Sequence, residues 1–242
     1  MRVQRPDSWR RDPRAGVLVV AFGLALVGFS ALVTALIFYS PLAFADRRLS
    51  AMIREVDSPI ADQVFRAISL AGDAIVVAIL VLAVALMLIW RRRFVEAGLV
   101  VLTVAGGSIV GMILGDLLQR DRPSEEFAKI VVAGPYGLPS MHALSTLLLF
   151  GIVAFIVVFG ARGMASRVGL GAACLSVPVL VGYSVVYLGV NWIGDVVAAW
   201  ILAIAWMPLC VAGYFAFYSN GQKRRSVGDA KNPSGRGSAG SR

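Results

Sequence analysis

The sequence predicts an all-α membrane protein, a polytopic bundle of six transmembrane helices. Of its 242 residues, 58% are hydrophobic and only 15% are charged, and the mean hydropathy is +0.79. A soluble domain is about half apolar and roughly a quarter charged, so these values exclude an ordinary soluble protein. The net charge is +9, but the basic residues flank apolar segments, which indicates membrane topology rather than nucleic-acid binding.

Six apolar stretches are each long enough to cross about 30 Å of hydrocarbon as a helix. They occupy residues 15–39, 67–90, 94–118, 142–160, 168–190 and 194–218. The first stretch is 25 residues long, which exceeds the roughly 7–15 residues of a signal-peptide core, so we interpret it as an uncleaved span. The predicted domain organisation is therefore a basic cytoplasmic tail over residues 1–14, a six-span membrane domain over 15–218 and a disordered basic cytoplasmic tail over 219–242.

The distribution of lysine and arginine predicts the orientation in the membrane. Sixteen of the 23 lie in the two tails and in the turns near residues 91–93 and 161–167, against seven in the connections 40–66 and 119–141. Basic residues are enriched on the cytoplasmic side. We therefore expect a cell membrane (plasma or inner) location, with both termini in the cytoplasm and these two connections outside, together with the turn 191–193.

Polar residues collect at the predicted outward ends of spans three to six. They form three groups, at residues 115–123, 139–142 and 184–195. Polar side chains at membrane depth are costly, so they are candidates for function. The predicted topology brings all three groups to the same membrane face.

The first two groups have features that suit an anion. Ser140 is expected to cap a helix whose Met141 and His142 backbone N–H groups are unpaired, and such a terminus binds phosphate readily. Arg122 offers a planar fork of donors that matches phosphate oxygens. Arg120 either adds positive charge to the same site or is a solvated loop residue.

The third group contains a carboxylate just inside the sixth span. Asn191 and Asp195 are four residues apart, so on a helix they share one face. A bare carboxylate at this depth needs a partner, and the candidates are Asn191, Ser184 and Arg122. Asp73, at the outer end of span two, is a further candidate for the same cavity.

In this order and at these helix ends, the three groups resemble the three signature motifs of the type-2 phosphatidic acid phosphatase family, which shares its core with the vanadate haloperoxidases. Arg122-Pro123 ends the first motif, 139–142 matches the second, and Ser184 and Asp195 match the third. The resemblance covers spans three to six. It implies a six-helix membrane bundle that acts on a lipid phosphate without a metal or other cofactor.

The chain departs from the family pattern at three positions. Gly115 stands in place of the first-motif lysine, Val185 replaces the third-motif arginine, and Asn191 replaces the third-motif histidine. In the family that histidine is the nucleophile that becomes phosphorylated, and the second-motif histidine, here His142, protonates the leaving oxygen. The amide nitrogen lone pair is delocalised, so asparagine cannot form a labile phosphoramidate as imidazole does.

We therefore expect a protein that binds a lipid phosphomonoester or pyrophosphate at the outer face without phospho-histidine chemistry. Polyprenyl phosphates, phosphatidic acid and phosphatidylglycerol phosphate are the ligands that the resemblance implies. The candidate phosphate-binding residues are Arg120, Arg122, Ser140, Met141 and Asn191. One alternative is an active phosphatase or phosphotransferase with a modified mechanism that uses His142 or Asp195. The other is a structural or partner-binding membrane protein on the inherited fold.

Two further features bear on partners and metals. Gly107, Gly111 and Gly115 form a small-residue stripe that allows close helix packing, either within the bundle or in a homodimer. Cys174 and Cys210 both fall in apolar runs and show neither a disulfide framework nor a metal-binding spacing. No metal site is expected around the only histidine.

Overall fold

The structure is a computed structural model that describes residues 13–55, 58–124, 128–130, 134–160 and 163–231. Within these ranges it contains eight α-helices, and one isolated bridge pairs Asp121 with Tyr136. The helices are α1 Pro13–Phe38, α2 Ser40–Arg54, α3 Pro59–Ser69, α4 Ala74–Trp90, α5 Phe94–Leu118, α6 Met141–Gly160, α7 Met164–Tyr187 and α8 Ile193–Lys231. The predicted all-α class is confirmed. Residues 1–12 of the predicted tail over 1–14 lie outside the described residues, and its last two residues belong to α1.

Five of these helices are long and apolar enough to cross a membrane, namely α1, α5, α6, α7 and α8. A sixth span results if α3 and α4 are taken together, with a bend of 53° between them. The chain is therefore a multi-pass membrane protein.

The second span differs from the continuous helix predicted over residues 67–90. A short 3-10 turn, Leu70–Gly72, interrupts it, and Asp73 then caps α4 by accepting a 2.9 Å hydrogen bond from the Ile75 N–H. A Cβ on Gly72 would lie 2.8 Å from the Cβ of His142. The break thus allows the turn to pack closely against the start of α6.

Helix α2 lies in a connection for which no helix is predicted. Its buried residues are Asp46 and Ser50, whereas Arg47, Arg48 and Leu49 are exposed. The i, i+4 spacing places the two buried polar side chains on one face. This helix therefore turns two buried polar groups towards the rest of the bundle, beside the partly buried Leu42 and Ile53.

The glycine stripe on α5 packs inside the bundle. A Cβ on Gly107 would lie 2.5 Å from Leu148 Cδ1, and one on Gly111 would overlap the side chain of Leu144. Both leucines belong to α6 and are fully buried. The stripe is therefore occupied by α6 within the same chain, which leaves any homodimer contact to another surface.

Helix α8 is longer than predicted. It continues through Lys231, so the prediction of a disordered tail from residue 219 is wrong for residues 219–231. This stretch contains no proline, and its two lysines, two arginines and one alanine have good helix propensity, which offsets its two glycines. Residues 232–242 of that tail lie outside the described residues.

We predict that Gly111→Leu destabilises the bundle because the new side chain has no space against Leu144. Overpacking of a core costs about 1–3 kcal/mol, which should lower the melting temperature of the purified protein in detergent. Gly98→Leu on the same helix is the matched control, since an added Cβ there meets nothing within 4 Å. Equal melting temperatures for the two variants would contradict the packing of α5 against α6.

Candidate functional site

The loop after α5 and the turn before α8 meet at Gly137. A Cβ on this residue would lie 2.8 Å from Asp195 Oδ2 and 3.3 Å from both Arg122 Cγ and Asn191 Nδ2. Only glycine leaves this space, so the absence of a side chain lets the two segments approach each other. The structure therefore brings Arg122 together with Asn191 and Asp195, although Arg122 comes from a different predicted group.

Asn191 is held by protein groups on both sides of its amide. Its Nδ2 donates to the Gly137 carbonyl at 2.8 Å, and its Oδ1 accepts from Ser140 Oγ at 2.9 Å. Only 1% of Asn191 is exposed, and Ser140 is fully buried. The Asn191 amide therefore ties the start of α6 to the loop before it.

Asp195 is completely buried, and both of its carboxylate oxygens accept hydrogen bonds. Arg120 Nη1 donates to Oδ1, and the Trp192 N–H donates to Oδ2 at 2.9 Å. The second bond has the geometry of a capping box, in which the third residue of a helix reaches back to the N-cap N–H. None of the three partners suggested by the sequence hydrogen-bonds to this carboxylate. These are Ser184, Asn191 and Arg122.

Arg120 bridges two buried carboxylates and is not a solvated loop residue. It is 8% exposed, and its Nη2 donates to Asp46 Oδ2 at 2.7 Å while Nη1 pairs with Asp195. A buried cation between two anions is already neutralised. Arg120 therefore holds α2 and α8 together rather than offering an open charge.

Helix α2 also closes the N-terminus of α8. Asp46 Oδ1 accepts from the Gly194 N–H at 2.8 Å, and Ser50 Oγ accepts from the Ile193 N–H at 3.0 Å. Sequence reasoning missed Asp46 and Ser50. The available signal was their i, i+4 spacing in a stretch whose other polar residues are mostly arginines.

The N-terminus of α6 is open by contrast. Its first backbone hydrogen bond runs from the Leu144 N–H to the Ser140 carbonyl, at 2.9 Å. The N–H groups of Met141 and His142 have no acceptor among the described residues. The half-buried His142 imidazole also has no hydrogen-bond partner among them. Unpaired N–H groups at a helix start carry a partial positive charge that favours an anion.

Arg122 supplies the second positive group near this end. Its Nε donates to the Gly134 carbonyl at 3.0 Å and its Nη1 to the Val190 carbonyl at 3.1 Å. Burial lowers the pKa of the Arg122 guanidinium from its ordinary value, because the charged form loses solvent, and the charge of Asp195 acts in the opposite direction. Within the described ranges no carboxylate forms an ion pair with it. A bound anion would stabilise the charged form of the Arg122 guanidinium, which burial disfavours.

The other two positions that depart from the family pattern have different surroundings. A Cβ on Gly115 would meet only the Leu138 carbonyl oxygen, at the ordinary contact distance of 3.8 Å. Val185 is fully buried and belongs to the hydrophobic core. A lysine at position 115 would be accommodated more easily than an arginine at position 185.

A second polar cluster, which sequence reasoning missed, fastens the connection between α5 and α6. Lys129 Nζ pairs with Asp62 at 2.7 Å and bonds Tyr187 Oη at 3.2 Å, while Tyr187 Oη donates to Asp62 at 2.8 Å. Arg66 Nη2 donates to the Lys129 carbonyl at 2.7 Å. These contacts join the connection to α3 and α7, and they leave Lys129 engaged outside the site.

We predict that Arg120→Ala strongly destabilises the protein, because it leaves two buried carboxylates without their cation. Removal of one partner from a buried ion pair costs about 3–5 kcal/mol, and thermal unfolding in detergent should show the loss. Arg48→Ala is the matched control, since Arg48 is an exposed arginine on α2. Unfolding of both variants at the same temperature would contradict the bridging role of Arg120.

Comparison with known proteins places this fold in a family. Residues 96–219, more than half of the chain, match the PAP2 superfamily. Phosphatidylglycerophosphatase B of Bacillus subtilis (strain 168) is 25% identical over 184 residues, which cover 75% of this chain and 89% of that protein.

Two solved structures share the fold. The transmembrane PAP2 type phosphatidylglycerolphosphate phosphatase from Bacillus subtilis aligns with a TM-score of 0.72 at 21% identity, covering 79% of this chain and 94% of that one. Aquifex aeolicus LpxE aligns with a TM-score of 0.55 at 18% identity, covering 68% and 93%. The chain is therefore a multi-pass membrane protein of the PAP2 superfamily, with the all-helical fold of its transmembrane phosphatases.

Proposed function

We propose that this protein binds the phosphate of a membrane lipid at the outer membrane face and does not transfer the phosphoryl group. The observation that carries the proposal is Asn191, a buried amide engaged by Ser140 and Gly137. It occupies the position at which the resembled family has its nucleophilic imidazole.

Binding rests on two positive groups that the protein does not neutralise. The Met141 and His142 N–H groups at the start of α6 have no acceptor, and Arg122 has no ion pair, among the described residues. Helix N-termini and guanidinium groups are both effective phosphate ligands. Arg120, which is neutralised by two carboxylates, acts in this proposal as a support for the site.

The absence of phosphoryl transfer rests on the lack of an accessible nucleophile. Asp195 is fully buried and both of its oxygens accept hydrogen bonds, so it is unsuited to attack phosphorus. In enzymes that depend on a triad-type nucleophile, its loss lowers the rate by a factor on the order of 10⁴–10⁶. The Asn191 amide does not replace it.

The ligand class follows from the membrane location and the relatives. The Bacillus subtilis relatives are named as phosphatases of phosphatidylglycerophosphate, which makes phosphoglycerolipids the first ligands to test, with polyprenyl phosphates next. The excess of basic residues in the tails and in the turns on the same side supports cytoplasmic termini and an outward-facing site.

A second candidate function is hydrolysis by water with His142 as the general base. The observation that favours it is the His142 imidazole, which is half-buried beside the open end of α6 and has no hydrogen-bond partner in the described part of the chain. An unengaged imidazole in such a position has the chemistry of a general base.

We predict that Arg122→Ala weakens binding of dioctanoyl phosphatidic acid to the purified protein. A hydrogen bond to a charged group contributes about 1.5–3 kcal/mol, so the dissociation constant should rise about tenfold to a hundredfold. Arg48→Ala, which removes an exposed arginine from α2, should leave the constant unchanged. Equal affinities for Arg122→Ala and the natural chain, or no binding by either, would overturn the proposal.

We predict no phosphate release by the natural chain from phosphatidylglycerophosphate, phosphatidic acid or a polyprenyl phosphate. Activity should appear when Asn191→His is combined with Gly115→Lys and Val185→Arg, since these restore the groups that the family uses. Because Val185 is buried, the double variant without Val185→Arg is measured beside the triple one, and melting temperatures verify folding. Release by the natural chain that disappears in His142→Ala would establish the second candidate instead.

A further inference from the structure

A pocket of about 210 Å³ is lined in part by Arg122. Its walls come from the connection between α5 and α6 and from the turn between α7 and α8, and they include Asp121, Ser124, Ile130 and Val190. Because one water needs only about 10–15 Å³ of such space, the pocket admits several waters. This is enough space for a small headgroup.

Arg122 belongs both to this pocket and to the proposed phosphate site. Its Nε and Nη1 bond the carbonyls of Gly134 and Val190, two residues that line the pocket. The Nη2 group has no acceptor among the described residues. A phosphate bound to this nitrogen would therefore have the pocket directly beside it.

Among the described residues that line the pocket, the charged side chains are Arg122 and Asp121. Asp121 is exposed, and in the described structure its carboxylate makes no hydrogen bond or ion pair, since only its backbone carbonyl accepts, from Trp192 Nε1 at 3.1 Å. The carboxylate would repel a second phosphate or a terminal dianion placed in the pocket, and it would attract an ammonium group. The Ser124 hydroxyl offers a neutral acceptor for the same group.

A protein that does not hydrolyse its ligand has no need for a terminal phosphate. A phosphatase must present the phosphorus of a monoester or pyrophosphate to a nucleophile, whereas a binding site accepts a phosphodiester if the second substituent has space. The pocket beside Arg122 is that space. Its paired charges match a headgroup that carries a negative phosphate and a positive amine.

We infer that the bound lipid is a zwitterionic phosphodiester, with its phosphate on Arg122 and its amine beside Asp121. This inference rests on the proposed lipid-phosphate binding function and specifies its ligand class. The aminoethyl headgroup of phosphatidylethanolamine has this chemistry and is small enough for the pocket. Phosphatidylglycerol, whose headgroup is an uncharged polyol, is the comparison that isolates the contribution of the amine.

The test is displacement of labelled dioctanoyl phosphatidic acid from the purified protein by dioctanoyl phosphatidylethanolamine and dioctanoyl phosphatidylglycerol. The natural chain should bind the ethanolamine lipid about threefold to fivefold more tightly than the glycerol lipid, the factor expected of a partly exposed ion pair. Asp121→Asn should abolish this ratio while phosphatidic acid still binds. Asp116→Asn, an exposed aspartate outside the pocket, should preserve it.

The outcomes separate this inference from the proposed function. Two results would overturn only the ligand class, provided that phosphatidic acid binds and that its binding depends on Arg122. One is no preference for the ethanolamine lipid, and the other is a preference that survives Asp121→Asn. Absence of binding by all three lipids overturns the proposed function as well. Soluble glycerophosphoethanolamine is included at the same concentrations, and displacement equal to that by the lipid would overturn the assignment to a membrane ligand.

Discussion

The buried guanidinium of Arg120, between the carboxylates of Asp46 and Asp195, is the interaction on which the outer end of the bundle depends. It joins α2, the connection after α5 and the start of α8. Charges removed from water cost several kcal/mol each unless they are paired and hydrogen-bonded. These three elements therefore keep one mutual arrangement, because any other would leave a charge buried without a partner.

The same network decides which helix start is available to a ligand. The first N–H groups of α8 are taken by Asp46, Ser50 and Asp195, so that end is closed by the protein's own oxygens. The start of α6 has no such covering group in the described structure, although Ser140 anchors it to Asn191. The positive end of α6 and the guanidinium of Arg122 are thus the groups left to attract a phosphate.

Membership of the PAP2 superfamily and the proposed absence of phosphoryl transfer are compatible because the fold and the chemistry depend on different residues. The helices pack through apolar side chains and through glycines such as Gly107 and Gly111. The motif resemblance puts the family's reactive imidazole at the position of Asn191. Here that position contributes to structure, since its amide links α6 to the preceding loop, and a site without hydrolysis is free to accept a substituted phosphate.

The sequence by itself determined the all-α class, the apolar spans and the family, because hydrophobic length and short motifs are local properties of the chain. It also identified Arg122, Ser140, Asn191 and Asp195 as neighbours from the order of the motifs. Only the tertiary structure decided the partner of Asp195, since Arg120 lies 75 residues away from it and 74 from Asp46. The first motif singles out Arg122, but no local pattern shows that Arg120 lies between two carboxylates; only the folded bundle makes Arg120 a support and leaves Arg122 open to an anion.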